Sequence, residues 1–178
     1  PSRYRSDGAA LFSMFRNVFG SLGISLSTAA ITERTRVILL CSPNNPTGPS
    51  LRQDETERFL ARVPEGILVV LDEAYLEFQG DPELVEGVRT YRAHPNVVAL
   101  RTFSKAYGLA GVRVGYAYGP EDVIAALNKV AIPFSINAVA QAGARAALAA
   151  QDSLRERTEK TCGQRQRVEK ELAEWGVP

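Results

Sequence analysis

Three apolar runs, Arg36-Val-Ile-Leu-Leu-Cys41, Ile67-Leu-Val-Val-Leu71 and Val97-Val-Ala-Leu100, constrain this chain more than any other feature, because each stops abruptly in polar or turn-forming residues. Short continuous runs rich in branched residues read as buried strands. The segments between them are long enough to cross back over a sheet, so successive runs are predicted to lie parallel, as in a βαβ unit. Ser50 is placed to cap the first crossover helix, which carries Leu51, Phe59 and Leu60 among charges and ends at Pro64-Glu-Gly66. The second crossover is less regular, a weak helix around Glu83–Arg92 interrupted by Gly80, Pro82 and Gly87.

Parallel strands put their carboxyl ends on one edge, where open α/β sheets place ligands. Asn45 follows the first run in the rigid loop Ser42-Pro-Asn-Asn-Pro-Thr-Gly-Pro49, Asp72 follows the second, and Lys105 follows the third. The next apolar stretch, Val112–Tyr118, begins too soon for a helical crossover and is predicted to return antiparallel. Arg113, rather than Arg101 or Arg89, then comes back to the same edge. The predicted fold class is α/β: a mostly parallel sheet with flanking helices and one antiparallel strand.

Elsewhere the pattern is helical. Residues 9–19 set Leu11, Phe15, Val18 and Phe19 at helical spacing, and Glu121–Val130 forms another helix. Ser135 or Asn137 can cap an alanine-rich helix that runs to about Gln151. A charged helix, Asp152–Trp175, follows, with Leu154, Val168, Leu172 and Trp175 as a sparse apolar face and its charges in solvent.

Composition narrows the function classes. A formal net charge of +1 gives no electrostatic case for nucleic acid or an anionic membrane. No apolar run approaches a membrane span and the first residues are too polar for a secretory signal, so a cytoplasmic protein is expected. Cys41 and Cys162 lack metal-type spacing, and the single histidine, His94, reads as a surface residue, so no metal site is expected.

A lone Ser104-Lys105 pair is ordinarily a solvated loop. Here the lysine amine can form a Schiff base, while Thr102, Ser104 and the Arg113 guanidinium can together hold a phosphate. That combination suggests pyridoxal phosphate.

Three motifs in order carry a resemblance: Cys-Ser-Pro-Asn-Asn-Pro-Thr-Gly at 41–48, Asp-Glu-Ala-Tyr at 72–75 and Thr-Phe-Ser-Lys-Ala-Tyr-Gly-Leu-Ala-Gly-Val-Arg-Val-Gly-Tyr at 102–116. They resemble the fold-type-I pyridoxal-phosphate aminotransferases, and among these most closely histidinol-phosphate aminotransferase. The resemblance implies that Lys105 holds pyridoxal 5'-phosphate as a Schiff base in a partly buried site and then shuttles the substrate proton. It implies that Asp72 pairs with the pyridine nitrogen, that Asn45 and Tyr75 bond the phenolic oxygen, and that Thr102, Ser104 and Arg113 bind the phosphate. Phe12 matches a position that stacks on the ring, with phenylalanine in place of the usual tyrosine.

The implied reaction is transfer of an amino group between a small-molecule donor and a 2-oxo acid, here histidinol phosphate and 2-oxoglutarate in histidine biosynthesis. An aromatic amino acid aminotransferase, a threonine-phosphate decarboxylase, or a silent remnant that only binds or dimerises are the alternatives. A homodimer is implied for the complete protein. Residues 1–150 correspond to part of the large cofactor-binding domain, and 151–178 to a long helix leading toward a small C-terminal domain. The upstream turn that gives backbone donors to the phosphate and the downstream arginine that clamps the substrate carboxylate lie outside this chain, which is expected to be incomplete for catalysis.

Overall fold

The computed structural model describes residues 28–177 together with the short strand Leu11–Phe12. Five strands, β1 (Leu11–Phe12), β2 (Val37–Cys41), β3 (Leu68–Asp72), β4 (Val97–Thr102) and β5 (Gly115–Tyr118), form one sheet in that order. β1 to β4 run parallel and β5 pairs antiparallel with β4. This is the predicted α/β architecture. The expected strand over 112–118 is shorter than read, because residues 110–112 form a 3-10 turn before β5 starts at Gly115.

The helix expected over 9–19 is contradicted where it can be checked. Leu11 and Phe12 pair with Ile38 and Leu39 as a parallel strand, and 9–10 and 13–19 lie outside the described residues. Helical spacing of apolar residues does not exclude a strand when a neighbouring edge offers backbone partners.

Successive strand residues point to opposite faces. Ile38 and Leu40 of β2, Val69 and Leu71 of β3, and Val97 and Ala99 of β4 therefore share one buried face. They pack with Phe59 and Leu60 of α1 (Gln53–Leu60) and with Val85, just before α2 (Gly87–Ala93). Full burial of each such aliphatic side chain contributes about 1.5–3 kcal/mol. The opposite face is less covered, since Val37 and Leu100 remain exposed. The runs are thus apolar throughout, but burial alternates along β2 and β3, while Val97, Val98 and Ala99 of β4 are all buried.

Helix starts differ from the sequence reading in instructive ways. α1 begins at Gln53 with no side-chain cap, so Ser50 does not cap it; Ser42 Oγ instead accepts from Leu51 N at 2.9 Å. α2 starts at Gly87, later than the predicted 83, because Leu84 is held extended in a bridge to Arg52 and the Glu86 carboxylate accepts from Arg89 N. Three helices follow: α3 (Glu121–Val130), α4 (Ala138–Ala149) and α5 (Gln151–Glu174).

Of the two cap candidates for α4, Asn137 serves: its Oδ1 accepts from Ala140 N at 2.8 Å. Asn137→Ala should destabilise the chain by about 1 kcal/mol, read as a lower urea midpoint at unchanged slope, and Ser135→Ala should not.

The charges of α5 form solvated i,i+4 pairs such as Glu156–Lys160 and Arg167–Glu171. Its expected apolar face is only half used, with Leu154 and Leu172 partly covered and Val168 and Trp175 exposed. α5 packs on the 3-10 turn Leu76–Phe78, where Cys162 Sγ donates to Phe78 O at 3.6 Å. No helix among the described residues is long and apolar enough to cross a membrane.

Candidate functional site

The carboxyl ends of β2, β3 and β4 lie side by side, because Cys41 pairs with Asp72 and Asp72 with Leu100. Each strand then releases a polar segment at the same edge. After β2 the loop closes on itself, with Asn44 N donating to Pro49 O and Gly48 N to Asn44 O. Gly48 takes φ +88°, a conformation that side chains other than glycine's rarely adopt. The closed loop presents Asn45 outward, and its Nδ2 donates to Tyr75 Oη at 2.7 Å.

Tyr75 is the meeting point. The Asn45 amide holds its phenol below the usual tyrosine range, and Lys105 adds to the effect through a hydrogen bond and its charge. Lys105 Nζ lies 5.3 Å from the centroid of the Tyr75 ring. An amide donor, a phenol and an amine from three separate strand ends therefore converge. The burial implied for Lys105 is absent: the side chain is exposed, because nothing among the described residues roofs this edge.

The other expected residues surround this cluster. Asp72 is half-buried at the end of β3, its Oδ1 accepting from Ala74 N at 3.0 Å. Thr102 closes β4 and its Oγ1 accepts from Ser104 N at 3.1 Å, which folds the chain back toward Lys105. Arg113 returns to this edge as expected, since Gly115 pairs with Thr102. Its backbone is left-handed, φ 59° and ψ 60°, an uncommon state for a residue with a side chain. The guanidinium donates to Ala110 O at 2.8 Å and remains exposed. Phe12 sits in β1 beside Leu39, but its side chain lies outside the described residues. An open cleft of about 790 Å³ adjoins Asn45 and Tyr75 and reaches Cys162 and Arg165 on α5.

No group of three or more His, Cys, Asp or Glu suited to a metal lies among the described residues. His94, read from sequence as a surface residue, is half-buried and its Nε2 lies 2.5 Å from Glu57 Oε2, because α1 and α2 stand side by side.

Sequence reasoning missed a buried polar cluster directly behind this edge. Glu73 is 1% exposed. Its Oε1 accepts from Gly87 N at 2.6 Å, and its Oε2 accepts from Arg101 Nε at 2.9 Å and Tyr118 Oη at 2.5 Å. Arg101 also reaches Glu86 at 3.1 Å and lies over the Tyr118 ring. Burial would lower the Arg101 pKa, but Glu73 outweighs it and the guanidinium is held above its usual range. Burial, followed by Glu73, pushes the Tyr118 phenol up, so it stays a donor. The available signal was strand alternation: Glu73 must face away from Asp72, and Arg101 away from Thr102.

Residues 19–178 match the family described as aminotransferase class I and II. The chain is 57% identical over 151 residues to an aromatic amino acid aminotransferase of Streptomyces avermitilis, covering 84% of this chain and 42% of that protein. It is 53% identical over 147 residues to one from Cutibacterium acnes, with 83% and 42% covered. Among solved structures it is similar to histidinol-phosphate aminotransferase from Sinorhizobium meliloti in complex with pyridoxal-5'-phosphate, with a TM-score of 0.76 at 34% identity, covering 88% of this chain and 42% of that one. This chain thus spans well under half the length of these relatives. The relatives by sequence carry the aromatic name given above as an alternative, not the histidinol-phosphate name first favoured. With the matched region taking in all three motifs and the strand ends they occupy, the chain belongs to the class I and II aminotransferase family.

Proposed function

We propose that this chain carries the cofactor-attachment segment of a pyridoxal-phosphate-dependent aromatic amino acid aminotransferase. The observation that carries the reading is the convergence of Asn45, Tyr75 and Lys105 beside the ends of three parallel strands. This donor set fits the group: an amine for its aldehyde, and an amide and a phenol for its phenolic oxygen. Asp72 is the carboxylate for the pyridine nitrogen, and Thr102, Ser104 and Arg113 are the hydroxyls and cation for the phosphate. Phe12 is assigned to the ring face by its place in the motif.

Bound pyridoxal phosphate supplies the electron sink, and the chain supplies orientation and proton movement. Asp72 would be the carboxylate that pairs with the ring nitrogen and favours its protonated form. Tyr75, its pKa lowered first by the Asn45 amide and then by Lys105, presents its phenol oxygen beside the amine. Lys105 would be the group that takes up and returns the substrate proton. The strained left-handed backbone at Arg113 persists at a ligand-facing turn, a common setting for such strain. The acceptor is a 2-oxo acid, and the complete protein is a cytoplasmic homodimer.

The aromatic reading rests on the two sequence relatives. Histidinol phosphate is the second reading, favoured by the Sinorhizobium structure. With 2-oxoglutarate as acceptor, the complete protein should show kcat/KM for phenylalanine at least on the order of tenfold above that for histidinol phosphate. The reverse order would transfer the assignment to histidinol phosphate, and inactivity on both would favour a silent remnant.

A further inference from the structure

We propose that Glu73 is a positioning residue for the cofactor site: it clamps the ends of β3, β4 and β5 from the face opposite Asp72 and Thr102, and so fixes where those two residues emerge. This rests on the pyridoxal phosphate reading above. The geometry is one of adjacency. Glu73 directly follows Asp72, and its partner Arg101 directly precedes Thr102. Its third partner, Tyr118, lies on the strand that begins just after Arg113. Because neighbouring residues of an extended chain face opposite ways, a fixed side chain on one face sets the direction of the next residue on the other.

Stability alone does not account for such a cluster. Burying a carboxylate and a guanidinium carries a desolvation penalty, and apolar residues of similar volume often stabilise as well or better. What this pair provides is a fixed register. All three donors to Glu73 come from different elements: the start of α2, β4 and β5. With both oxygens engaged, β3 can neither slide nor rotate against β4 without losing a charge-assisted bond. Arg101 extends the clamp to Glu86, which caps α2.

Glu73→Gln preserves shape but turns one oxygen into an NH₂ group that must face N–H or O–H donors. Tyr118→Phe removes a single donor and leaves the ring. Both variants, with the wild-type chain and Lys105→Ala, are titrated with pyridoxal phosphate. The measurements are the dissociation constant, the pH midpoint of the visible band, and the unfolding midpoint without cofactor.

For Glu73→Gln the expected result is affinity weaker by on the order of tenfold, with a displaced pH midpoint while borohydride still fixes the cofactor on Lys105. Tyr118→Phe should shift both in the same direction by less. If Glu73→Gln does not fold, Tyr118→Phe decides by the same two readouts. Wild-type affinity and pH midpoint in a folded variant, with only the unfolding midpoint lowered, would show a purely structural role and overturn the proposal. A wild-type chain that fixes no cofactor on Lys105 has a different signature: it removes the pyridoxal phosphate reading itself, and the positioning role with it.

Discussion

Lys105→Ala should abolish covalent attachment of pyridoxal phosphate at the 102–116 segment while leaving the fold intact. The effect on attachment is all-or-none, because Lys105 is the one amine among the described residues placed beside Tyr75 and Asn45. The effect on stability is small. Lys105 is exposed, and substitutions at such positions ordinarily change stability by less than about 0.5 kcal/mol. Free pyridoxal phosphate also reacts with ordinary surface lysines, and Lys129, Lys160 and Lys170 are available. The readout is therefore a peptide map after borohydride reduction. In the wild-type chain the cofactor mass should sit on the peptide containing Lys105 at cofactor concentrations too low to label the other three. If labelling is spread evenly over all four, or is unchanged in Lys105→Ala, the site as assigned is wrong.

That test bears on a site whose placement is largely legible in the sequence. Parallel strands with crossovers between them have their carboxyl ends on one edge whatever the details of packing, so Asn45, Asp72 and Lys105 had to be neighbours. Arg113 followed from the short connection after Lys105. What the linear pattern did not reveal was how the side chains are held. Asn45 and Tyr75 bond each other, and that depends on the closed loop around Gly48 and on the turn after Asp72. Neither has a period that a sequence window can detect.

Specificity is a different matter. The motifs at 41–48, 72–75 and 102–116 are concerned with the cofactor, and enzymes with different amino donors share the same cofactor chemistry. The motifs favour histidinol phosphate, whereas similarity over 151 and 147 residues is to relatives named for aromatic amino acids. The helix read over 9–19 gives way at its two described residues for a related reason: Leu11 and Phe12 find backbone partners on β2, a tertiary event that local spacing does not encode. The Glu73 cluster was hidden because a glutamate after an aspartate in a turn reads as solvated, and only the three-dimensional meeting of β3, β4, β5 and α2 buries it.

Gly87→Ala should be among the most destabilising single-methyl changes in the chain. A Cβ built there lies 2.6 Å from Ala99 Cβ, 2.6 Å from Tyr118 Oη and 2.9 Å from Glu73 Oε2, distances that real Cβ contacts do not show. Two terms favour alanine: better helix propensity and a less disordered unfolded chain, together about 1–2 kcal/mol. Against them stand overpacking of a core, about 1–3 kcal/mol and occasionally more, and disturbance of a buried carboxylate whose lost partners carry about 1.5–3 kcal/mol each. Ala99 is fully buried in β4 and cannot step aside, so the unfavourable terms win. A net loss of about 2 kcal/mol or more is expected, read as a lower urea midpoint at unchanged slope. Gly66→Ala is the control, because nothing lies within 4 Å of its Cβ position and its midpoint should stay nearly constant. Equal midpoints for Gly87→Ala and Gly66→Ala would mean that α2 does not press on Glu73 at all. The clamp behind Asp72 would then lack its third anchor.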